Sequence, residues 1–370
     1  MSKPKLLIVG PLPPPIGGVE TVTQAVLESN AFTDFQTAHC NTTKGRPKQT
    51  QGKFDLGNYF WAIRHFFRMY KSVKRFKPDI VYMPVAGTWS GFLRDGVLAK
   101  IAKSNTAKVV GHVHGSDFGK VLERKNDEQK IRRNLSYFDC LLMLGTPWKQ
   151  LIINYGFNGR VAIVPSTLRK EVYERGVAFH RKSKLSGEVI GLFLGQLGER
   201  KGVFDILKAL THIKKEGLEF RLVFVGPGEL EGMIEKVLEE NKKLELEDIT
   251  EFTGPLMGED LYKRFEQADF LILPSYNEGL PVVFYEAGAF ELPPITTPVG
   301  AITDLVKHEI NGLIVEPGNV DQIYNAMKTF ITNHELRIRL GKQMKNDIAD
   351  YHPDKVCEKI AKEVKDTLNS

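Results

Sequence analysis

Short apolar runs alternate with longer stretches of helical period along this chain. Residues 5–10 read Lys-Leu-Leu-Ile-Val-Gly, the continuous apolar run that a parallel strand buried on both faces requires. A proline-rich loop follows, and Gly17-Gly18-Val19-Glu20 opens a helix that runs to about Glu28. The same pattern predicts strands at 35–40, 79–83, 108–114, 140–144 and 160–164, with helices at 55–76, 91–103, 127–137 and 147–155. Residues 168–187 lose the apolar period and are rich in Lys, Arg and Ser, as in a linker. The alternation then restarts, with strands at 189–194, 220–225, 249–253, 270–273 and 294–297 and a further short segment at 311–315. Helices at 203–215, 230–241, 261–268, 282–290 and 320–332 fall between and after them. A last helical stretch, 353–368, carries Val356, Ile360, Val364 and Leu368 at helical spacing. Such alternation predicts an α/β protein of two doubly wound parallel-sheet domains, 1–167 and 188–340.

Composition agrees with a soluble globular chain. Of 370 residues, 42% are hydrophobic and 26% charged. Cys40, Cys140 and Cys357 lie far apart with no metal-ligand spacing, which argues for a reduced, cytoplasmic compartment without a disulfide framework. The apolar run Leu6–Val9 is too short for a signal-peptide core or a membrane span.

Charge is uneven. Between Phe35 and Pro78 ten basic residues face Asp55 alone, whereas Glu188–Arg339 carries fifteen basic and twenty-six acidic residues. In helix 55–76, Phe60, Ile63, Phe66, Phe67, Tyr70 and Val73 share one face, with Trp61 close by. Arg64, Arg68, Lys71 and Arg75 form a stripe beside that face, preceded by a basic loop bearing Lys44, Arg46, Lys48 and Lys53. A core helix with a solvated rim explains most of the apolar face. The basic stripe suits an anionic membrane surface or acceptor, whereas nucleic acid is not expected, because no recognised motif is present.

The candidate chemistry centres on Ser275–Pro298. A buried-type strand, 270–273, leads into Ser-Tyr-Asn-Glu-Gly-Leu-Pro and then a helix, which places Glu278 and Glu286 around a strand-to-helix turn. Ligands of open α/β sheets bind at such carboxyl ends, although both glutamates could equally be surface residues. Gly195-Gln-Leu-Gly-Glu-Arg-Lys-Gly202 also joins a strand to a helix. Its glycines admit a phosphate to the backbone and Arg200 or Lys201 supplies a cation, the alternative being a solvated turn. Gly17 and Gly18 either offer helix N-terminal N–H groups to an anion or form a hinge. His114 ends a strand, where it either meets a reacting group or is structural.

Taken together these features resemble glycosyltransferase family 4 of GT-B architecture over essentially the whole chain. The likeness rests on Glu278 and Glu286 with seven residues between them and on the Ser-x-x-Glu-Gly-Leu-Pro context. Gly17-Gly18-Val19-Glu20, His114-Gly115, Arg200-Lys201-Gly202 and Asn311-Gly312-Leu313-Ile314-Val315 support it. The resemblance implies two Rossmann-like domains facing a cleft, an acceptor-binding first and a donor-binding second, with the C-terminal segment 341–370 returning to the first domain. It implies a retaining, metal-independent hexosyltransferase, without cofactor, that moves a sugar from a UDP-, GDP- or ADP-sugar to a lipid-linked or polysaccharide acceptor. The setting implied is bacterial-type surface-glycan synthesis at the inner face of the plasma membrane.

The same resemblance implies that Glu278 binds donor-sugar hydroxyls, Glu286 the ribose hydroxyls, and Lys201 with the N–H groups of Gly279 and Leu280 the diphosphate. Gly18 would approach the diphosphate and His114 the donor sugar. Gln196 departs from the family's usual arginine, and Arg200 is expected to replace part of its charge. Phe290-Glu291-Leu292-Pro293-Pro294 departs from the family's small-residue pattern behind the site. A same-fold epimerase or hydrolase, or a non-catalytic sugar-nucleotide-binding subunit, is the alternative.

Overall fold

The apolar runs of the first half become six parallel strands. In chain order these elements are β1 (Lys5–Gly10), α1 (Gly18–Glu28), β2 (Gln36–Asn41), α2 (Leu56–Phe76), β3 (Ile80–Val85), α3 (Trp89–Lys103), β4 (Lys108–Val113), α4 (Phe118–Leu122), α5 (Glu128–Leu135), β5 (Cys140–Met143), α6 (Thr146–Asn154) and β6 (Arg160–Ile163). This computed structural model describes residues 3–13, 17–43, 56–115, 117–180 and 187–370, with side chains from residue 62 onward in α2. Lys44, Arg46, Lys48 and Lys53 of the expected basic loop, the side chains of Phe60 and Trp61, and residues 181–186 of the expected linker lie outside the described residues.

Strand order in the first sheet is β2-β1-β3-β4-β5-β6. Alternate β1 residues serve opposite faces, as a strand period of two demands. Leu7 and Val9 pack beneath α2 and α3, while Leu6 and Ile8 pack with Val22 and Val26 of α1. The second face is completed by the C-terminal helix through Val356, Cys357, Ile360 and Val364. Arg160 of β6 secures that helix by ion pairs to Glu363 at 2.6 Å and Asp366 at 2.9 Å. All three cysteines are buried and free. Burial pushes the thiols of Cys140 and Cys357 up to about 11 and about 12, so neither is a ready nucleophile.

The second half repeats the plan. Its elements are α7 (Lys170–Ala178), β7 (Val189–Leu194), α8 (Val203–Lys215), β8 (Phe220–Val225), α9 (Met233–Lys243), β9 (Thr250–Gly254), α10 (Gly258–Gln267), β10 (Phe270–Leu273), α11 (Val282–Ala289), β11 (Pro294–Thr296), α12 (Ile302–Leu305), β12 (Leu313–Ile314), α13 (Val320–Thr332) and α14 (His334–Asp347), and α15 (Pro353–Asn369) closes the chain. The second sheet is ordered β12-β11-β10-β7-β8-β9 and all its pairings are parallel. Stacked rings fill its core, with Phe224 and Phe252 at 4.7 Å and Phe220 and Phe270 at 5.8 Å between centroids.

Two units divide the chain: residues up to Arg169 together with Tyr351–Ser370, and Lys170–Asp350. The second unit is therefore larger than the interval 188–340 read from the sequence. At its start, Lys170–Ala178 of the expected linker form helix α7. Gly176 of that helix lies against Ala289 so closely that a Cβ would stand 2.5 Å from the alanine Cβ. Arg175 adds ion pairs to Glu259 and Glu266. At its end, α14 stays with this unit because Gly341 abuts the Glu291 carbonyl and Met344 packs against Gly288. Only the segment from Tyr351, not from residue 341, belongs with the first unit.

Candidate functional site

Sheet topology alone selects one place in the second unit. Strands β7 and β10 are neighbours at its centre, and the connections leave them in opposite directions. A crevice opens at such a switch point, at the strands' carboxyl ends. The two loops there are 195–202 and 274–281, the two stretches singled out in the sequence.

Their backbones are clamped together. Gly202 adopts φ 72°, and a Cβ there would stand 2.4 Å from the Pro274 carbonyl oxygen, so only glycine lets the loops meet. Tyr276 N–H donates to the Arg200 carbonyl at 2.9 Å. On the far side Gly300, at φ 61°, lies against the Glu278 carbonyl, and Ala301 N–H donates to the Gly279 carbonyl at 2.8 Å. The loop after β8 joins from the other flank, where Leu197 N–H donates to Pro227 O and Glu229 N–H to Leu197 O, both at 2.8 Å.

Four charges meet within this frame. Lys201 Nζ pairs with Glu278 Oε1 in a short contact, with only 12% and 9% of the two side chains exposed. Arg200 Nε pairs with Glu229 Oε1 at 2.6 Å, and its Nη1 reaches Asn277 O at 3.2 Å and Glu278 Oε1 at 3.9 Å. Arg200 Nη2 stands 3.4 Å from Gln196 Oε1, so the guanidinium lies beside the position where the resemblance expects a cation. The cluster is formally neutral. Neither cation is held in reserve, which the sequence alone does not reveal.

Helix α11 explains the place of Glu286. Val283, Phe284, Tyr285, Ala287, Gly288 and Ala289 are all buried. Val282 and Glu286, one helical turn apart, are half-buried and mark its one partly open edge. Glu286 thus sits where a polar group can meet solvent or a ligand. Leu280 and Gly279 are buried just ahead of the helix.

The other expected residues stand in the first unit. Gly17 precedes α1 without a side-chain cap, and Gly18 is the first residue of that helix. His114 follows β4 at the same carboxyl edge of the sheet. There Gly115 and Gly87 touch backbone to backbone, and a Cβ on Gly115 would stand 2.3 Å from the Gly87 Cα. Beneath His114 lies a buried pair the sequence reading missed. Tyr82 Oη is 2.8 Å from His112 Nδ1, and His112 Nε2 is 2.9 Å from the Val164 carbonyl. A carbonyl only accepts, so Nε2 carries the proton and Tyr82 donates to Nδ1. The His114 ring rests 4.1 Å from that of His112. Burial holds the His112 pKa down to about 4 and, with the neighbouring imidazole, holds His114 well below its ordinary value. Both rings are neutral at pH 7, and His114 Nδ1 is buried without a hydrogen-bond partner.

Helix α2 is turned from the expectation, so that of its expected apolar face only Phe66 and Val73 meet the core among the described side chains. Its core side is His65, Met69 and Val73, flanked by half-buried Phe66 and Phe76. Ile63, Phe67 and Tyr70, expected on the apolar face, are 46%, 58% and 48% exposed. They mingle with exposed Arg64, Lys71, Lys74 and Arg75, and Lys71 Nζ stands 4.5 Å over the Phe67 ring. Arg68 leaves this stripe, because its Nη1 donates to the Asn41 carbonyl at 2.6 Å. Among the described residues no helix is long and apolar enough to cross a membrane, and no group of three His, Cys, Asp or Glu is placed to hold a metal ion.

Residues 178–347 match the family model described as glycosyl transferases group 1. An uncharacterized glycosyltransferase of Haemophilus influenzae is 29% identical over 180 residues, which are 48% of this chain and 49% of that protein, so the chain spans about half the length of that curated relative. The UDP-Gal:alpha-D-GlcNAc-diphosphoundecaprenol alpha-1,3-galactosyltransferase of Escherichia coli is 24% identical over 309 residues, 78% of this chain and 75% of the relative. The structure of Anabaena HepE in complex with UDP and glucose superposes with TM-score 0.69 at 14% identity, over 97% of this chain and 99% of that one. That likeness, with the two six-stranded parallel sheets, establishes the two-domain GT-B fold.

Proposed function

We propose that this chain is a retaining, metal-independent glycosyltransferase that moves a sugar from a nucleotide-sugar to a lipid-linked or polysaccharide acceptor in surface-glycan synthesis. The observation that carries the reading is the Lys201–Glu278 pair at the switch point of the second sheet. It lies inside the segment that matches glycosyl transferases group 1. In this reading Lys201 and the N–H groups of Gly279 and Leu280 hold the diphosphate, with Arg200 beside Gln196 as the second cation. Glu278 accepts from sugar hydroxyls and Glu286 from the ribose. Catalysis then consists of stabilising the negative charge that develops on the departing nucleoside diphosphate. The expected roles of Gly17, Gly18 and His114 remain part of the proposal, each at the carboxyl edge of the first sheet.

The E. coli relative is named for a UDP-linked donor and the HepE structure holds UDP, which makes UDP-sugars the first to test. A thermal-shift panel of UDP, GDP, ADP and their hexoses should reveal one nucleotide series. A ligand at 100 times its Kd stabilises by about 2.7 kcal/mol, and a panel without any shift overturns the donor site. Release of nucleoside diphosphate only when acceptor is present separates transfer from hydrolysis, epimerisation or mere binding.

We further propose that α2 brings the protein to the inner face of an anionic plasma membrane. Exposed Ile63, Phe67 and Tyr70 among Arg64, Lys71, Lys74 and Arg75 are the apolar and cationic partners such a surface takes. Liposomes containing phosphatidylglycerol should float the protein, and changing Arg64, Lys71, Lys74 and Arg75 to Gln together should abolish flotation. Arg68→Gln should matter far less, since that guanidinium is engaged by Asn41. Equal flotation on neutral and anionic vesicles would remove the idea.

A further inference from the structure

We infer that the Lys201–Glu278 ion pair makes the site prefer an intact nucleotide-sugar to the nucleoside diphosphate left after transfer, so that the reaction itself loosens its product. The inference rests on the donor-site reading above and concerns how two of its residues act on one another.

Glu278 is 7% exposed and depends on Lys201 for its counter-charge. Its other cation, Arg200, is 3.9 Å away and already committed to Glu229 at 2.6 Å and to Asn277 O at 3.2 Å. Spreading of the two loops to relieve a conflict is opposed by the backbone bonds that tie them, Tyr276 N–H to the Arg200 carbonyl at 2.9 Å and Ala301 N–H to the Gly279 carbonyl at 2.8 Å. A diphosphate that binds Lys201 therefore draws on the charge that Glu278 needs. Lys201 Nζ has three donors and can touch both anions at once, but phosphate and carboxylate then share one cation at close range. A carboxylate buried in this way costs stability unless something donates to it.

An intact donor supplies that something: its sugar hydroxyls lie next to the diphosphate and donate to Glu278. The free nucleoside diphosphate has no hydroxyl at that end. It meets the same competition for Lys201 without the compensating hydrogen bonds. Once the sugar has left, Glu278 takes Lys201 back and the diphosphate is released.

Equilibrium titration with UDP, GDP, ADP and their hexoses tests this. In the unmodified protein the sugar nucleotide of the recognised series should bind about tenfold more tightly than its diphosphate, a difference near 1.4 kcal/mol. Glu278→Gln should tighten the diphosphate by about tenfold and erase the preference. In a Lys201→Ala background the same change should shift diphosphate affinity by less than about threefold, since no pair remains to break. Glu278→Ser gives the same readout should the glutamine variant not fold.

Several results would overturn the inference. One is a diphosphate that binds as tightly as its sugar in the unmodified protein. Another is no tightening in Glu278→Gln. A third is equal tightening in both backgrounds, which would reduce the effect to a general loss of negative field. A protein that binds no nucleotide and no sugar nucleotide fails at the donor-site reading itself, a pattern distinct from all three.

Discussion

Replacing Lys201 by alanine should lower kcat about 10²–10³-fold, the loss typical of removing one fixed donor from a developing anion. Lys201 ends the short helical turn 199–201, and Gly202 then bends the chain at φ 72° into α8. Its side chain is only 12% exposed, so the charge is placed and partly dehydrated before any ligand arrives. An interaction that strengthens as the leaving group gains charge appears in kcat more than in KM.

Arg200→Ala should cost less, about twentyfold or about 1.8 kcal/mol, within the ~1.5–3 kcal/mol of a charge-assisted hydrogen bond. Its guanidinium is shared among Glu229, Asn277 and Gln196, whereas Lys201 has Glu278 alone among the described contacts. Thermal melts must show both variants folded, because truncating Lys201 leaves Glu278 with only the Arg200 contact at 3.9 Å. A folded Lys201→Ala enzyme within about fivefold of the parent would remove Lys201 from the reaction, since that is far below the effect of a lost anion donor.

What the sequence made legible follows from what pattern encodes. Continuous apolar runs announce parallel strands, and the loops holding Lys201 and Glu278 are legible because each joins such a run to a helix. Helices α7 and α14 escaped for a physical reason. Their buried faces include Gly176 on one and Arg337 and Gly341 on the other, residues that a hydrophobic period does not count. Arg337 is buried because its guanidinium is taken up by the Phe330 and Ile331 carbonyls at the end of α13.

Helix α2 misled in the opposite sense. It carries more large apolar residues than its core contact needs, and His65 takes a place in that contact. The partners that set the site's charge balance were also hidden. Glu229 reaches Arg200 across 29 positions, and Gly300 supports Glu278 from another loop. Loop-to-loop contacts of this kind leave no local signature.

Acid should destabilise the first unit by about 3 kcal/mol between pH 7 and pH 4 through His112 alone. Folded His112 has its pKa held down to about 4 by burial, against the ordinary value of 6.5 expected when unfolded. The sign follows from proton counting. Below pH 6.5 the unfolded chain takes up a proton that the folded protein refuses until about pH 4. The stabilisation is therefore complete above the unfolded value and is lost as pH falls toward the folded one. Protonation would place a charge in a fully buried site and turn Nδ1 into a second donor facing the Tyr82 hydroxyl.

His114, 4.1 Å away and lowered in the same direction, adds to the loss. Buried Asp95 works against it, because its pKa is raised by burial and acid relieves that carboxylate. Comparing the parent with His112→Gln isolates the one group. Urea unfolding at pH 7 should favour the parent, and by pH 4 that advantage should shrink by about 3 kcal/mol. A gap between the two proteins that is the same at both pH values would mean that His112 does not titrate differently on unfolding. The Tyr82–His112–Val164 chain would then lose its role in keeping the ring neutral.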